Sequence, residues 1–131
     1  MDRLSKWSPQ ALSLLRFVTG LLFTEHGAMK LLHFPAAQPG APAHLPPMLM
    51  AAGALELIGG ALVAFGLFTR PVAFLLSGEM AVAYWMVHAH SGPWPALNGG
   101  DAAILYCFVF FYLVFAGPGP LSLDAMMRRR K

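Results

Sequence analysis

Five side chains able to hold, pass or neutralise charge lie in or beside long apolar stretches of this 131-residue chain: Glu25, His26 and Lys30 late in the first stretch, Glu56 in the second, and His88 at the end of the third. A sixth, Asp101, opens the fourth. There Asn98-Gly99-Gly100-Asp101-Ala102-Ala103-Ile104-Leu105-Tyr106-Cys107 carries an acid from a polar turn into an apolar run, with no further charge until Asp124. Carboxylates and histidines together can exchange protons, and lysine and asparagine beside them supply hydrogen-bond donors. With Phe34, Trp85, Trp94 and Tyr106 as aromatic walls, the set suits a ligand with a polar head and an apolar body, such as a quinone. Glu56, Asp101 and His88 are the candidate catalytic groups. His26, Lys30, Glu25, Asn98, Trp94 and Tyr106 are the candidate ligand contacts.

Charge balance sharpens this expectation. Within or at the edge of the apolar stretches, two permanent cations, Arg16 and Lys30, stand against four acids, Glu25, Glu56, Glu79 and Asp101. An isolated charge in low dielectric changes protonation sooner than it stays ionised, so the surplus acids call for protons, histidine partners or a bound cation. Arg16, inside the first stretch, calls for a carboxylate or a lipid phosphate.

The elements that position these groups follow from composition. The chain is 57% hydrophobic and 11% charged, against about 25% charged for a soluble domain. Four apolar segments stand out, residues 10–32, 48–68, 71–88 and 100–116, each near the roughly 17–25 residues of a spanning helix. Helices are the expected form, because an open sheet in lipid leaves backbone groups unpaired. The reading is one all-α domain over residues 1–131, a four-helix transmembrane bundle followed by a basic cytoplasmic tail, 117–131, suited to anionic lipid. Arg16, Glu25, His26 and Lys30 in the first segment read as a retained helix and not as a cleaved leader.

Lysine and arginine set the orientation. Arg3 and Lys6 precede the first segment, Arg70 lies between the second and third, and Arg128-Arg129-Arg130-Lys131 ends the chain, whereas the other two loops hold neither residue. The positive-inside tendency places both termini and the Arg70 turn in the cytoplasm. Glu25, His26, Lys30, Glu56, His88, Asn98 and Asp101 then fall in the outer half and are expected to share one outward-facing pocket.

Plainer roles stand beside these. His26, Lys30 and His33 share a helix face, yet Lys30 and His33 also suit snorkelling to the interface. Gly53, Glu56 and Gly60 form a small-residue stripe that carries Glu56 inward. Glu79 reads equally as a structural or a functional acid. Asn98 and Asp101 suit capping of the fourth helix. The loop with Pro35, Pro39, Pro42, Pro46 and Pro47 serves as a linker or a lid. Cys107 alone forms no intrachain disulfide and reads as a small hydrophobe or a redox group. Haem or metal is disfavoured, since Cys-x-x-Cys-His, His-x-x-x-His and Glu-x-x-His are all missing. A four-residue basic cluster gives nucleic acid no footing.

The chain resembles the DoxX family of small bacterial membrane proteins. The resemblance rests on His26-Gly27-x-x-Lys30-Leu31, Leu55-Glu56-Leu57-Ile58-Gly59-Gly60, Gly66-Leu67-Phe68-Thr69-Arg70-Pro71, Met80-Ala81-Val82-Ala83-Tyr84 with His88, and Trp94-Pro95-x-x-Asn98-Gly99-Gly100. Asp101 stands where similar chains generally carry glutamate. The resemblance implies a four-helix inner-membrane protein, with relatives linked to quinone reduction during thiosulfate oxidation or to complexes that handle thiol stress. Lys30, His26 and His88 are expected at a quinone head group, and Glu56 or Asp101 at its protons. A redox partner protein is required, and small-residue stripes permit a homodimer. The alternative is a non-enzymatic scaffold, ligand-binding protein or small transporter component.

Overall fold

The structure, a computed structural model, describes residues 2–130. Among them every regular element is helical. After a short α1 (Asp2–Ser5), α2 (Ser8–Leu32) has Pro9 in its first turn, where a missing N–H costs nothing. It ends at His33, whose left-handed backbone turns its N–H onto the Ala28 carbonyl. An irregular stretch leads to α3 (Pro47–Phe65). A tight turn gives α4 (Thr69–Ala83), which continues through a π-helical turn, Tyr84–His88, and a 3₁₀ turn, Ala89–Ser91. Then follow α5 (Pro95–Asn98), α6 (Asp101–Ala116) and α7 (Leu123–Arg129).

Two helices are long and apolar enough to cross a membrane, Pro47–Phe65 and Thr69–Ser91, and Asp101–Ala116 is apolar but shorter. The helix expected over 48–68 stops at Phe65. Gly66, at φ 70°, donates to the Leu62 and Val63 carbonyls, and Leu67 also donates to Leu62. That closes α3 with a left-handed cap. The helix expected from Pro71 begins two residues earlier, because the Asp124 carboxylate accepts the free N–H groups of Phe68 and Thr69 at 2.9 and 3.0 Å.

α2 packs against α3, α3 against α4, α4 against α6, and α6 against α2. The α2–α3 seam is close because glycines face each other. A Cβ on Gly20 would meet the Gly60 carbonyl at 2.7 Å, and one on Gly27 the Gly53 carbonyl at the same distance. Such close approach replaces side-chain interdigitation with backbone contact. Phe23, Val63, Ala73, Leu76, Met80, Ala103, Phe110 and Leu113 fill the centre. Outside it, Leu14, Phe17, Leu21, Ile58, Phe74, Val82, Phe108 and Phe115 stand exposed, a perimeter suited to acyl chains and not to water.

Arg16 makes no bond to the carboxylate expected of it among the described residues. Its guanidinium, 2% exposed, donates instead to four carbonyls: Val63 (2.7 Å), Ala64, Pro118 (2.7 Å) and Leu121 (2.6 Å). The first two lie at the end of α3, where Val63 also accepts from Gly66 and where the helix dipole favours a cation. Arg70 treats α6 alike, donating to Val114 and Phe115 at 2.6 and 2.7 Å, next to Gly117 at φ 79°. The segment expected as a basic tail is tied into the fold. Leu121 donates to Ser13, Ser122 is buried and caps α7, and Asp124 holds the α3–α4 turn.

Candidate functional site

Two of the expected residues meet in an ion pair. Lys30 in the last turn of α2 donates to Glu56 Oε1 across the α2–α3 seam, their side chains 14% and 4% exposed. A Cβ at Gly53 would lie 3.2 Å from Lys30 Cβ, so the glycine leaves room for the lysine stem. Burying this pair costs desolvation of both ions, and only good geometry offsets it. Glu56 Oε2 is buried without a partner.

Glu79 completes the cluster. It stands midway along Thr69–Ser91, as Glu56 does along α3, and Glu56 and Lys30 are the charges that act on it. Both of its carboxyl oxygens are closed off and have no partner among the described residues. One ammonium, in contact with Glu56 alone, thus stands against two acids, and the three groups are neutral together only when they hold one proton. The two acids sit at nearly equal distances on either side of the α3–α4 turn. That symmetry was the available sequence signal for their common depth.

Tyr106 borders the cluster from α6, within the field of Glu25 and Glu56. Its ring contacts Phe23 at 5.1 Å, Phe110 at 6.0 Å and His26 at 5.8 Å between centroids. His26 is exposed, and its Nδ1 lies 2.9 Å from the Leu22 carbonyl. A carbonyl only accepts, so Nδ1 carries a proton and Nε2 is left free to exchange one.

His88 and Asn98 form a second group beyond the first. His88 Nδ1 donates to the Asn98 carbonyl at 3.2 Å. The buried Asn98 amide donates to Gly92 at 2.9 Å and to the Tyr84 hydroxyl at 3.4 Å, and it accepts from Gly100 N at 2.8 Å. Asn98 therefore pins the loop ahead of α6. The expected cap on that helix falls instead at Gly100, which makes no side-chain cap bond. Tyr84, absent from the sequence-based site list, joins this group through its hydroxyl. Glu25, Asp101 and Trp94 are exposed and make no side-chain hydrogen bond among the described residues.

The expected residues thus divide between an inner charged cluster and an outer polar group. None of the expected residues lines either of two surface grooves, of about 370 and 420 Å³. Among the described residues no three His, Cys, Asp or Glu side chains are grouped to hold a metal ion. Cys107 is half-buried, its Sγ 3.6 Å from Ser77 Oγ.

Comparison with known proteins agrees with this architecture. The DoxX family model matches residues 11–89. A protein of Haemophilus influenzae called uncharacterized is 44% identical over 128 residues, 95% of this chain and 96% of that one. A second uncharacterized protein of the same organism is 35% identical over 74 residues, 56% of this chain and 49% of its own length. No solved structure matches. The matched residues run from α2 through the turns that end α4 and so include Lys30, Glu56, Glu79 and His88. This chain is a small helical membrane protein and belongs to the DoxX family.

Proposed function

We propose that this protein is a membrane subunit of a quinone-linked oxidoreductase or of a thiol and sulfur stress system. Its buried Lys30–Glu56–Glu79 cluster exchanges protons with a quinone head group. α2, α3, α4 and α6 each cross the bacterial inner membrane, with both termini and the Arg70 turn in the cytoplasm. The observation that carries the reading is the cluster itself: one cation, two acids, and three carboxyl oxygens buried without partners at mid-depth of two helices.

Reducing a quinone to a quinol takes two electrons and two protons. The electrons come from a partner redox subunit acting on thiosulfate or a thiol, because a side-chain cluster is no electron source. Lys30 has two donors beyond the one on Glu56, enough to orient a quinone carbonyl. A protonated Glu79 or Glu56 delivers the first proton and, once reprotonated from the exposed face, the second. His26 Nε2 and the Tyr106 hydroxyl lead from the cluster toward the exposed face, and the His88–Asn98 group shapes the outer entrance with Trp94 and Asp101. The test uses protein extracted with native lipid: native mass spectrometry for bound quinone, then quinone reduction with thiosulfate and thiol donors. Bound quinone and a turnover lost in Glu79→Gln support the reading. Absence of both binding and turnover refutes it.

The α2–α3 seam favours a second reading. The ion pair sits between backbones in glycine contact and lines neither groove, which suits a lock on helix packing in a scaffold, a ligand-binding protein or a small transporter component. Glu56→Gln separates the two. Lost stability with unchanged ligand affinity or flux marks a lock, whereas retained stability with lost proton-coupled activity marks a functional site.

A further inference from the structure

Where α3 turns into α4, a groove of about 420 Å³ opens between that turn, the loop after α6, and α7. Arg70, Arg128 and Asp124 line it. The carboxylate is already committed, since both Asp124 oxygens accept backbone N–H groups. The guanidinium groups are not. Arg70 uses only Nη1, on Val114 and Phe115, and Arg128 uses only Nε, in a long 3.4 Å bond to the Asp124 carbonyl of its own helix. Arg70 Nε and Nη2, and both terminal nitrogens of Arg128, have no partner among the described residues. Thr69, fully buried in the same wall, has a hydroxyl with no hydrogen-bond partner among the described residues.

Spare donors without acceptors specify an acceptor ligand, and two cations against one compensated acid specify an anion. The surroundings are apolar. On α7, Leu123, Met126 and Met127 share one face and are 38%, 54% and 47% exposed, and Phe68 on the turn is 60% exposed. An amphipathic helix with arginines at its end, beside a spanning helix, lies in the headgroup zone of a bilayer. We propose that this groove binds the phosphate of an anionic phospholipid, clamped between Arg70 and Arg128. The site is independent of the quinone reading, since it uses none of the same residues and lies at the other end of α4 from His88.

The full chain in mixed micelles is titrated with phosphatidylglycerol or phosphatidylcholine. Retained lipid is read by native mass spectrometry and stability by thermal unfolding. Wild type is expected to retain one phosphatidylglycerol in preference to phosphatidylcholine and to be stabilised by it. Arg128→Gln should weaken that retention by about tenfold, the loss of about 1.4 kcal/mol. Arg129→Gln, which removes a charge of the same tail outside the groove, should leave it within about twofold. Equal retention of the two lipids overturns the proposal. So does an equal loss in Arg128→Gln and Arg129→Gln, which marks a diffuse basic tail. Full stabilisation by inorganic phosphate with nothing added by phosphatidylglycerol also overturns it, since the site then takes a soluble anion.

Discussion

Lys30→Met keeps the apolar stem and removes the ammonium, leaving Glu56, 3% exposed, with no cation and neither oxygen partnered. The least costly response of a stranded carboxylate is to take a proton. For a glutamate with the reference value of about 4.3, that costs about 3.7 kcal/mol at pH 7. Breaking a buried pair from one side costs about 3–5 kcal/mol in general, so two routes give the same figure. The sign with pH follows. Each unit below pH 7 makes the proton about 1.4 kcal/mol cheaper, so the deficit against wild type falls to about 1 kcal/mol near pH 5. Adding Glu56→Met removes the stranded acid, and an apolar pair of similar volume should restore most of the stability at pH 7. The assay is reversible unfolding in mixed micelles, followed by circular dichroism at both pH values for the two single variants and the double. A deficit that ignores pH, or a double variant as unstable as the sum of the singles, would refute the view that Lys30 neutralises a buried acid.

Arg16→Lys keeps the charge but cannot span four carbonyls on two segments; losing two charge-assisted bonds should cost about 3 kcal/mol or more in the same unfolding assay. Gly27→Ala places a methyl against the Gly53 carbonyl and should cost about 1–3 kcal/mol, whereas Gly78→Ala meets nothing within 4 Å and should gain about 0.5–1 kcal/mol. For topology, a cysteine at Gln38 in a Cys107→Ala background should react with an impermeant thiol reagent from the periplasmic side, and one at Arg130 only after the membrane is opened. Labelling of both from one side would contradict four crossings.

The helical segments were legible because prolines and glycines bracket long apolar runs, and the inward aim of Glu56 was legible from Gly53 and Gly60. Helix ends were less so: Phe68 reads as part of an apolar run, yet the left-handed Gly66 stops α3 three residues earlier. The partners of Arg16 left no mark in the sequence, since backbone carbonyls look alike at every residue and two of the four come from a loop over a hundred positions away. The contact between Lys30 and Glu56 was expected only as shared depth, and the glycine seam turned that depth into a bond. His88 and Asn98 meet through the backbone of an irregular loop, which side-chain periodicity does not encode. Glu79 reads from the sequence equally as a structural or a functional acid. Its distance from the α3–α4 turn, matching that of Glu56, is what joins it to the cluster.

Arg16 and Arg70 carry out one operation twice. Each rises from the first helix of a hairpin and closes the second on the carbonyls three and two residues ahead of a glycine of positive φ, Gly66 or Gly117. Lys30 and Glu56 stand in the hairpin that Arg16 closes, Glu79 and Tyr106 in the hairpin that Arg70 closes. A shift of one hairpin along the other would therefore alter the field at Glu79 while leaving each arginine closure untouched.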